Sequence, residues 1–430
     1  MVGSNFETLS GPFKKLLPLR ILSIASALFC ESCLDDIFKF PMVKYTDLEC
    51  YADAQKALVL DSGSGTVKIG FSGEDEPRAI YKTVVGMVYE DGVEGSKEDA
   101  RSSSGTSSAS TVVNGSKRTP VFGDAAVSID PSSKVSPIWR GKVVDKDALE
   151  SLWEYCLQNE KVHKGTDPTV PILVAVSPQT PLDVREWMAE VFLEKFNFPS
   201  LAISSTAGLS LYSTGETTGM VVDLGHGITS VVPVFEGFSI PYASLSLEVA
   251  GADISQAFKA YADGRLETPI TLETAEVMKE KLAFVRSKDK AAAESNVLFE
   301  LPDGTVIKVP EDVRSDCTEI LFPKFGHSLS EIVVKAFKGL DSGLQAELAR
   351  NIHITGGSSL LPGLSERLHA EISSGGLGLD MKIKADGQRK LAAWIGGSMF
   401  SSLSTFEAFA LKKKEYEEGN AYELVAQRLN

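Results

Sequence analysis

The sequence predicts a two-lobed α/β protein with mixed sheets and an anion-binding cleft between the lobes. Three observations point there. A strand, an Asp-x-Gly-x-Gly turn and a returning strand occur once after residue 57 and again after residue 219. A further buried strand pattern ends in the glycine pair Gly356-Gly357. Between them, strand and helix patterns alternate, which favours layered sheets and helices.

The first unit begins with the apolar run Ala57 to Asp61, turns through Ser62, Gly63, Ser64, Gly65 and Thr66, and returns along Val67 to Phe71. Glycines let backbone N–H groups approach an anion closely, and an Asp at the strand end can hold a hydrated cation. Alone, such a turn is a weak signal and reads first as a plain hairpin. The pattern then recurs: Gly219 to Asp223, the turn Leu224 to Thr229, and the strand Ser230 to Phe235. Recurrence marks an internal duplication, each half giving one hairpin to a shared cleft. Asn351 to Thr355 supplies the third strand, and its glycine pair precedes a helical segment from Leu364 to Ile372. A flat or anionic ligand can lie against such a turn. Asp147 to Cys156 and Leu182 to Phe196 carry apolar residues at i, i+3 and i+4 and are expected helices.

Composition sets limits. With 430 residues and 43% hydrophobic content, the chain can bury a large core split into two lobes. Its net charge of −15, from 43 basic and 58 acidic side chains, opposes direct nucleic acid binding. The cysteines Cys30, Cys33, Cys50, Cys156 and Cys317 form no even framework, which favours a reducing compartment. Cys30 and Cys33 have metal or redox spacing, but no second pair or nearby histidine completes a site. Leu16 to Phe29 follows two lysines in the manner of a leader, yet Arg20 interrupts it. Residues 1–55 are read as an N-terminal extension, and no run is long enough to span a membrane.

The strings DSGSGTVKIGFSGEDEPRAIYKTVVG, TTGMVVDLGHGITSVVPVFEGFSIPYASLSLEVAGADI, ITGGSSLLPGLSERLHAEI and KLAAWIGGSMFSSLSTFEAFALKKKEYEEGN resemble actin and the actin-related proteins over about residues 56 to 420. The resemblance implies an actin-like ATPase fold, with duplicated ribonuclease H-like lobes and a nucleotide cleft between them. The first lobe would span 56–213 plus 391–430, with a flexible insertion at about 87–120, and the second 214–390. The insertion is acidic, then serine-rich, and cannot bury enough apolar surface to order itself. The implied cofactors are ATP and magnesium. Asp61 and Asp223 would organise the hydrated metal, and Ser64, Gly65, Thr66 and Lys68 would hold the β- and γ-phosphates. Gly225, Gly227 and Ile228 would close from the other hairpin. Lys279, Glu280, Gly356, Gly357 and Lys390 would line the adenosine pocket, although Lys279 and Glu280 equally suit a solvated helix face.

The departures from the family pattern lie around the second hairpin. Thr206 stands where the family has a glutamine that positions water, Ser230 where it has a histidine, and His226 where it has a second acidic residue. Thr206 is too short to reach a water beyond the γ-phosphate, and Ser230 cannot accept a proton at neutral pH. Each loss costs about 10²–10⁴-fold. Slow or absent hydrolysis is expected. The implied role is a nucleotide-held scaffold in a nuclear chromatin-remodelling or histone-modifying complex, clamping a helical partner segment. The alternative is a cytoskeletal subunit, a divergent actin or dynactin-type protein, working beside other actin-family subunits in the cytoplasm. A sugar-kinase reading has no substrate-pocket carboxylate to support it. Lys412 to Lys414 is short for an import run and is expected within a helix.

Overall fold

The computed structural model describes residues 56–89, 118–159, 170–287 and 296–428. The N-terminal extension with Cys30 and Cys33, and residues 90–117 of the expected insertion, lie outside the described residues. Met87–Tyr89 and Arg118–Pro120, which the sequence reading places in that insertion, instead belong to strands. Val85–Tyr89 pairs antiparallel with Arg118–Phe122, from Val85 opposite Phe122 to Tyr89 opposite Arg118. The serine-rich run before the second strand, and the proline within that strand, had masked it.

Leu58–Ser62 is buried along its first four residues, as a strand covered on both faces must be. It pairs antiparallel with Thr66–Phe71 and parallel with Ile172–Val176. The full sheet runs Leu411–Lys412, Ser200–Ser205, Ile172–Val176, Leu58–Ser62, Thr66–Phe71, Ala79–Lys82. The second sheet repeats the plan. Gly219–Leu224 pairs antiparallel with Thr229–Phe235 and parallel with Ile352–Thr355. Its order is Phe238–Ser239, Thr229–Phe235, Gly219–Leu224, Ile352–Thr355, Ile383–Lys384. In each sheet the hairpin's first strand carries the Asp at its end, beside a parallel neighbour. The expected duplication is therefore present in topology as well as in sequence.

Each sheet has its own core. The first gathers Leu149, Leu152, Trp153 and Phe192 around Leu58, Leu60 and Ile69. The helix Lys146–Gln158 starts where the Asp145 carboxylate accepts from the Ala148 amide at 2.9 Å, satisfying an otherwise free N–H. Its Trp153 packs against Trp187 and Phe192, ring centres 5.3 and 4.9 Å away. The helix expected to reach Phe196 is α-helical only over Leu182–Ala189 and continues through a π-helical stretch, Glu190–Lys195. The second core gathers Phe258, Leu321, Val333 and Phe337.

The helix Thr206–Tyr212 joins the two halves. Its Leu209 packs with Val59, Leu173 and Trp394, whereas Ala207 and Leu211 pack on Val221, Val232 and Val234 of the second sheet. Ala392–Ser401 crosses it so closely that any side chain at Gly396 would overlap the Leu209 carbonyl. Trp394 Nε1 donates to the Val59 carbonyl at 3.2 Å, tying this crossing to the central strand. Lys412, expected in a helix, lies in the edge strand opposite Ser200, and the helix begins at Lys413. Among the described residues no helix is long and apolar enough to cross a membrane.

Candidate functional site

The two Asp-x-Gly-x-Gly turns meet tip to tip. A methyl group placed on Gly65 would stand 2.7 Å from His226 Cβ, and one on Gly227 would stand 2.7 Å from Ser64 Oγ. Contacts that short are not tolerated, so both glycines are needed for the turns to approach. Two residues of the first turn and two of the second are thereby brought into one place, as the repeated pattern implies.

Each turn is pinned from behind by its carbonyls. Thr83, fully buried, donates its N–H to the Gly65 carbonyl at 3.1 Å and its hydroxyl to the Gly63 carbonyl at 2.7 Å. In the second turn the Gly225 carbonyl accepts from the Gly251 amide at 3.0 Å and the Ser358 hydroxyl at 3.2 Å. The His226 carbonyl accepts from the Ala252 amide at 2.7 Å. With carbonyls occupied at the rear, the loops are fixed before any anion arrives, which limits the ordering cost of binding. Thr83, Gly251 and Ser358, which brace the two turns, are residues that sequence reasoning missed.

The charged residues at the strand ends are arranged unequally. Asp61 lies opposite Lys68 in the hairpin register, and Lys68 Nζ donates to Asp61 Oδ2 at 2.6 Å, both side chains about nine-tenths buried. Ser62 beside it accepts from Trp153 Nε1 at 2.6 Å. Asp223 occupies the matching place in the second hairpin, but its register partner is Ser230. Thr355 donates to Asp223 Oδ1 at 3.3 Å, and no lysine stands where the duplication would put one. Burial, then the negative charge of Asp61, push the Asp223 carboxyl up from 3.8 to about 6. Two carboxylates thus share one ammonium, an imbalance that a divalent cation would correct.

Gly356 closes this side. Its backbone sits at φ +85° and ψ 163°, a region open essentially to glycine alone, and a Cβ there would run into the Leu224 carbonyl and Asp223 Oδ1. Gly357 follows, with Lys390 Cε 4.0 Å from where its Cβ would be. Lys279 and Glu280, adjacent in sequence, diverge. Lys279 is buried and donates to the Gly251 carbonyl at 3.0 Å and to Ser255 Oγ at 2.9 Å, so it supports the helix start behind the second turn. Burial pushes its ammonium pKa down. Glu280 is exposed on the far face of Leu272–Leu282.

The three divergent residues also have clear places. Thr206 is the first residue of the joining helix and is half-buried. Ser230 is buried across the hairpin from Asp223. The His226 ring lies over Gly65, and burial, outweighing the neighbouring Glu276 charge, pushes its pKa down, so the imidazole is neutral at neutral pH. Ile228 packs beneath Gly141 of a neighbouring turn.

Arg140 was not foreseen. It occupies a two-residue turn with Gly141, at φ +49° and +71°. Its guanidinium makes a bidentate pair with Asp253, at 2.5 and 2.7 Å, and also reaches the Glu248 carbonyl and, at 3.4 Å, the Gly227 carbonyl. Burial alone would raise the Asp253 carboxyl, but the Arg140 and Ala250 hydrogen bonds hold it below the usual carboxylate range. Among the described residues no group of three or more His, Cys, Asp or Glu forms a direct metal site. A family model described as Actin matches residues 52–273 and 264–430, which together span every described segment.

Proposed function

The chain belongs to the actin family, and from that membership we propose that it is an ATP-binding scaffold subunit, stabilised by its nucleotide and slow or inactive in hydrolysis. The observation that carries this reading is the tip-to-tip meeting of two prefixed glycine turns beside Asp61, Lys68 and Asp223. The donor set suits a triphosphate with magnesium. Ser64, Gly65, Thr66 and Lys68 hold the β- and γ-phosphates from one side, and Gly225, Gly227 and Ile228 close from the other. Asp61 and Asp223 would hold magnesium, and the ion would offset the surplus negative charge at that spot. Gly356, Gly357 and Lys390 form the nucleoside wall, while Lys279 braces the helix start behind the second turn.

The same site is poor in groups that would activate water. Thr206 and Ser230 offer hydroxyls that neither reach far nor take a proton at neutral pH, and the half-buried neutral His226 is a weak substitute for a carboxylate in ordering a cation's waters. A lasting nucleotide then acts as a structural tie between lobes spanning 56–213 plus 391–430 and 214–390. We place the protein in a nuclear chromatin-remodelling or histone-modifying assembly, bound to a helical partner segment. Affinity purification with identification of the co-eluting subunits tests this. Remodeller or histone-modifying subunits support it, whereas dynein-adaptor or filament proteins move the assignment to the cytoskeleton.

A further inference from the structure

Three ion pairs among the described residues join the two halves, and all have the same polarity. Lys82 Nζ lies 3.4 Å from Glu276 Oε2, Lys134 Nζ lies 3.2 Å from Glu273 Oε1, and Arg140 is bidentate to Asp253. The cations come from the first sheet's edge strand Ala79–Lys82, the short strand Lys134–Val135 and the turn at Arg140. The acids come from two consecutive helices, Gly251–Asp263 and Leu272–Leu282, of the second half. Glu273 and Glu276 are three residues apart and share one face of their helix.

The strongest pair is set up at a cost. Arg140 adopts a left-handed backbone, disfavoured for any residue with a Cβ, at a turn position that usually takes Asn or Gly. Strain of this kind persists only where the surroundings over-determine it. Here they do: the turn aims the guanidinium at Asp253, the Glu248 carbonyl and the Gly227 carbonyl together. Asp253 is equally committed, because its carboxylate also accepts from the Ala250 amide at 2.9 Å. The pair therefore fastens the first half to the base of the second phosphate turn.

We propose that these three pairs form an electrostatic latch that keeps the halves closed whether or not nucleotide is present, and that the latch sets how fast nucleotide leaves. The ion pairs fasten the facing edges of the two halves. Closure by fixed charges explains how a subunit could keep one conformation without a hydrolysis cycle. The control of release rests on the nucleotide reading above; closure of the empty cleft does not.

Charge reversal and swap in the full chain test it. Hydrogen exchange of nucleotide-free protein in chelator reads closure, and dissociation of a fluorescent ATP analogue reads release. Lys82→Glu and Glu276→Lys singly should each lower amide protection over residues 138–143 and 248–253 and speed release about two- to fivefold. The double swap, Lys82→Glu with Glu276→Lys, should restore both. Raising salt from about 0.05 to 0.5 M should mimic the single variants in the wild type. Singles that match the wild type, or a double no better than its singles, overturn the latch. If the analogue fails to bind at any salt, the nucleotide reading falls, and exchange protection alone decides the latch. If a single variant does not fold, rescue by the double still supports the pairing, and failure of that rescue counts against it.

Discussion

Asp223→Asn is the substitution whose effect should change most with pH. The folded carboxyl is raised from 3.8 to about 6 by burial and by Asp61. A group raised in this way favours the folded state while protonated. Its contribution is fully present below the unfolded value near 3.8 and is lost as pH rises through about 6. The rise corresponds to about 3 kcal/mol. At pH 8 without magnesium or nucleotide, the asparagine variant, which carries no charge to bury, should therefore be more stable than the wild type by up to about 3 kcal/mol. The two should converge below about pH 4. Thermal melts of both proteins in chelator across this range measure the difference, in which titrations common to both cancel. Adding magnesium and ATP at pH 8 should reverse the order, because the variant loses the charge that holds the cation. In the wild type, affinity for the magnesium nucleotide should fall as pH drops through about 6, since proton and cation compete for one carboxylate. A stability gap that does not change with pH, or an asparagine variant less stable than the wild type at pH 8 in chelator, would refute the reasoning.

Three further outcomes follow from the same geometry. Gly356→Ala forces a side chain into the Leu224 carbonyl and Asp223 at a backbone angle alanine avoids, so it should cost about 3 kcal/mol or more of stability and abolish nucleotide binding, read by melting and by titration. His353 is buried, and burial pushes its pKa down to about 4. Asn351 Nδ2 donates to the Thr218 carbonyl, leaving Oδ1 to accept from His353 Nε2 at 2.8 Å. The imidazole is thus held neutral, its stabilisation is present above pH 6.5 and lost as pH falls toward 4, and His353→Gln should flatten acid unfolding there by up to about 3 kcal/mol. Restoring Gln at Thr206, His at Ser230 and Asp at His226 together should raise single-turnover hydrolysis by at least about 100-fold, checked by phosphate release.

The parts legible in the sequence are those governed by local backbone chemistry. Both glycine turns, their flanking strands and the Gly356 bend were readable because glycine at such places has few alternative explanations once the pattern repeats. Lys279 was not separable from Glu280 in sequence, where both suit a solvated helix face; the structure buries it beside Ala275 and Met278. The rest depends on contacts distant in the chain. Thr83 braces the first turn with a hydroxyl that, in sequence, resembles any strand-end threonine. Arg140 meets Asp253 across 113 positions, and both are residue types that ordinarily sit in solvent. The only local hint was an Arg-Gly pair between two short strands. The strand Arg118–Phe122 was hidden for a related reason: it follows a serine-rich run and carries a proline, so composition outweighed its pairing with Val85–Tyr89.

The paired turns should hold ATP without consuming it. Incubating purified protein with magnesium and labelled ATP, removing free nucleotide, and following the bound label over hours tests both halves at once. Near-stoichiometric label that remains ATP, and is lost in Asp61→Ala and Asp223→Ala, is the expected result. No retained nucleotide, or bound ATP converted to ADP and phosphate at the rate of conventional actin, would contradict it.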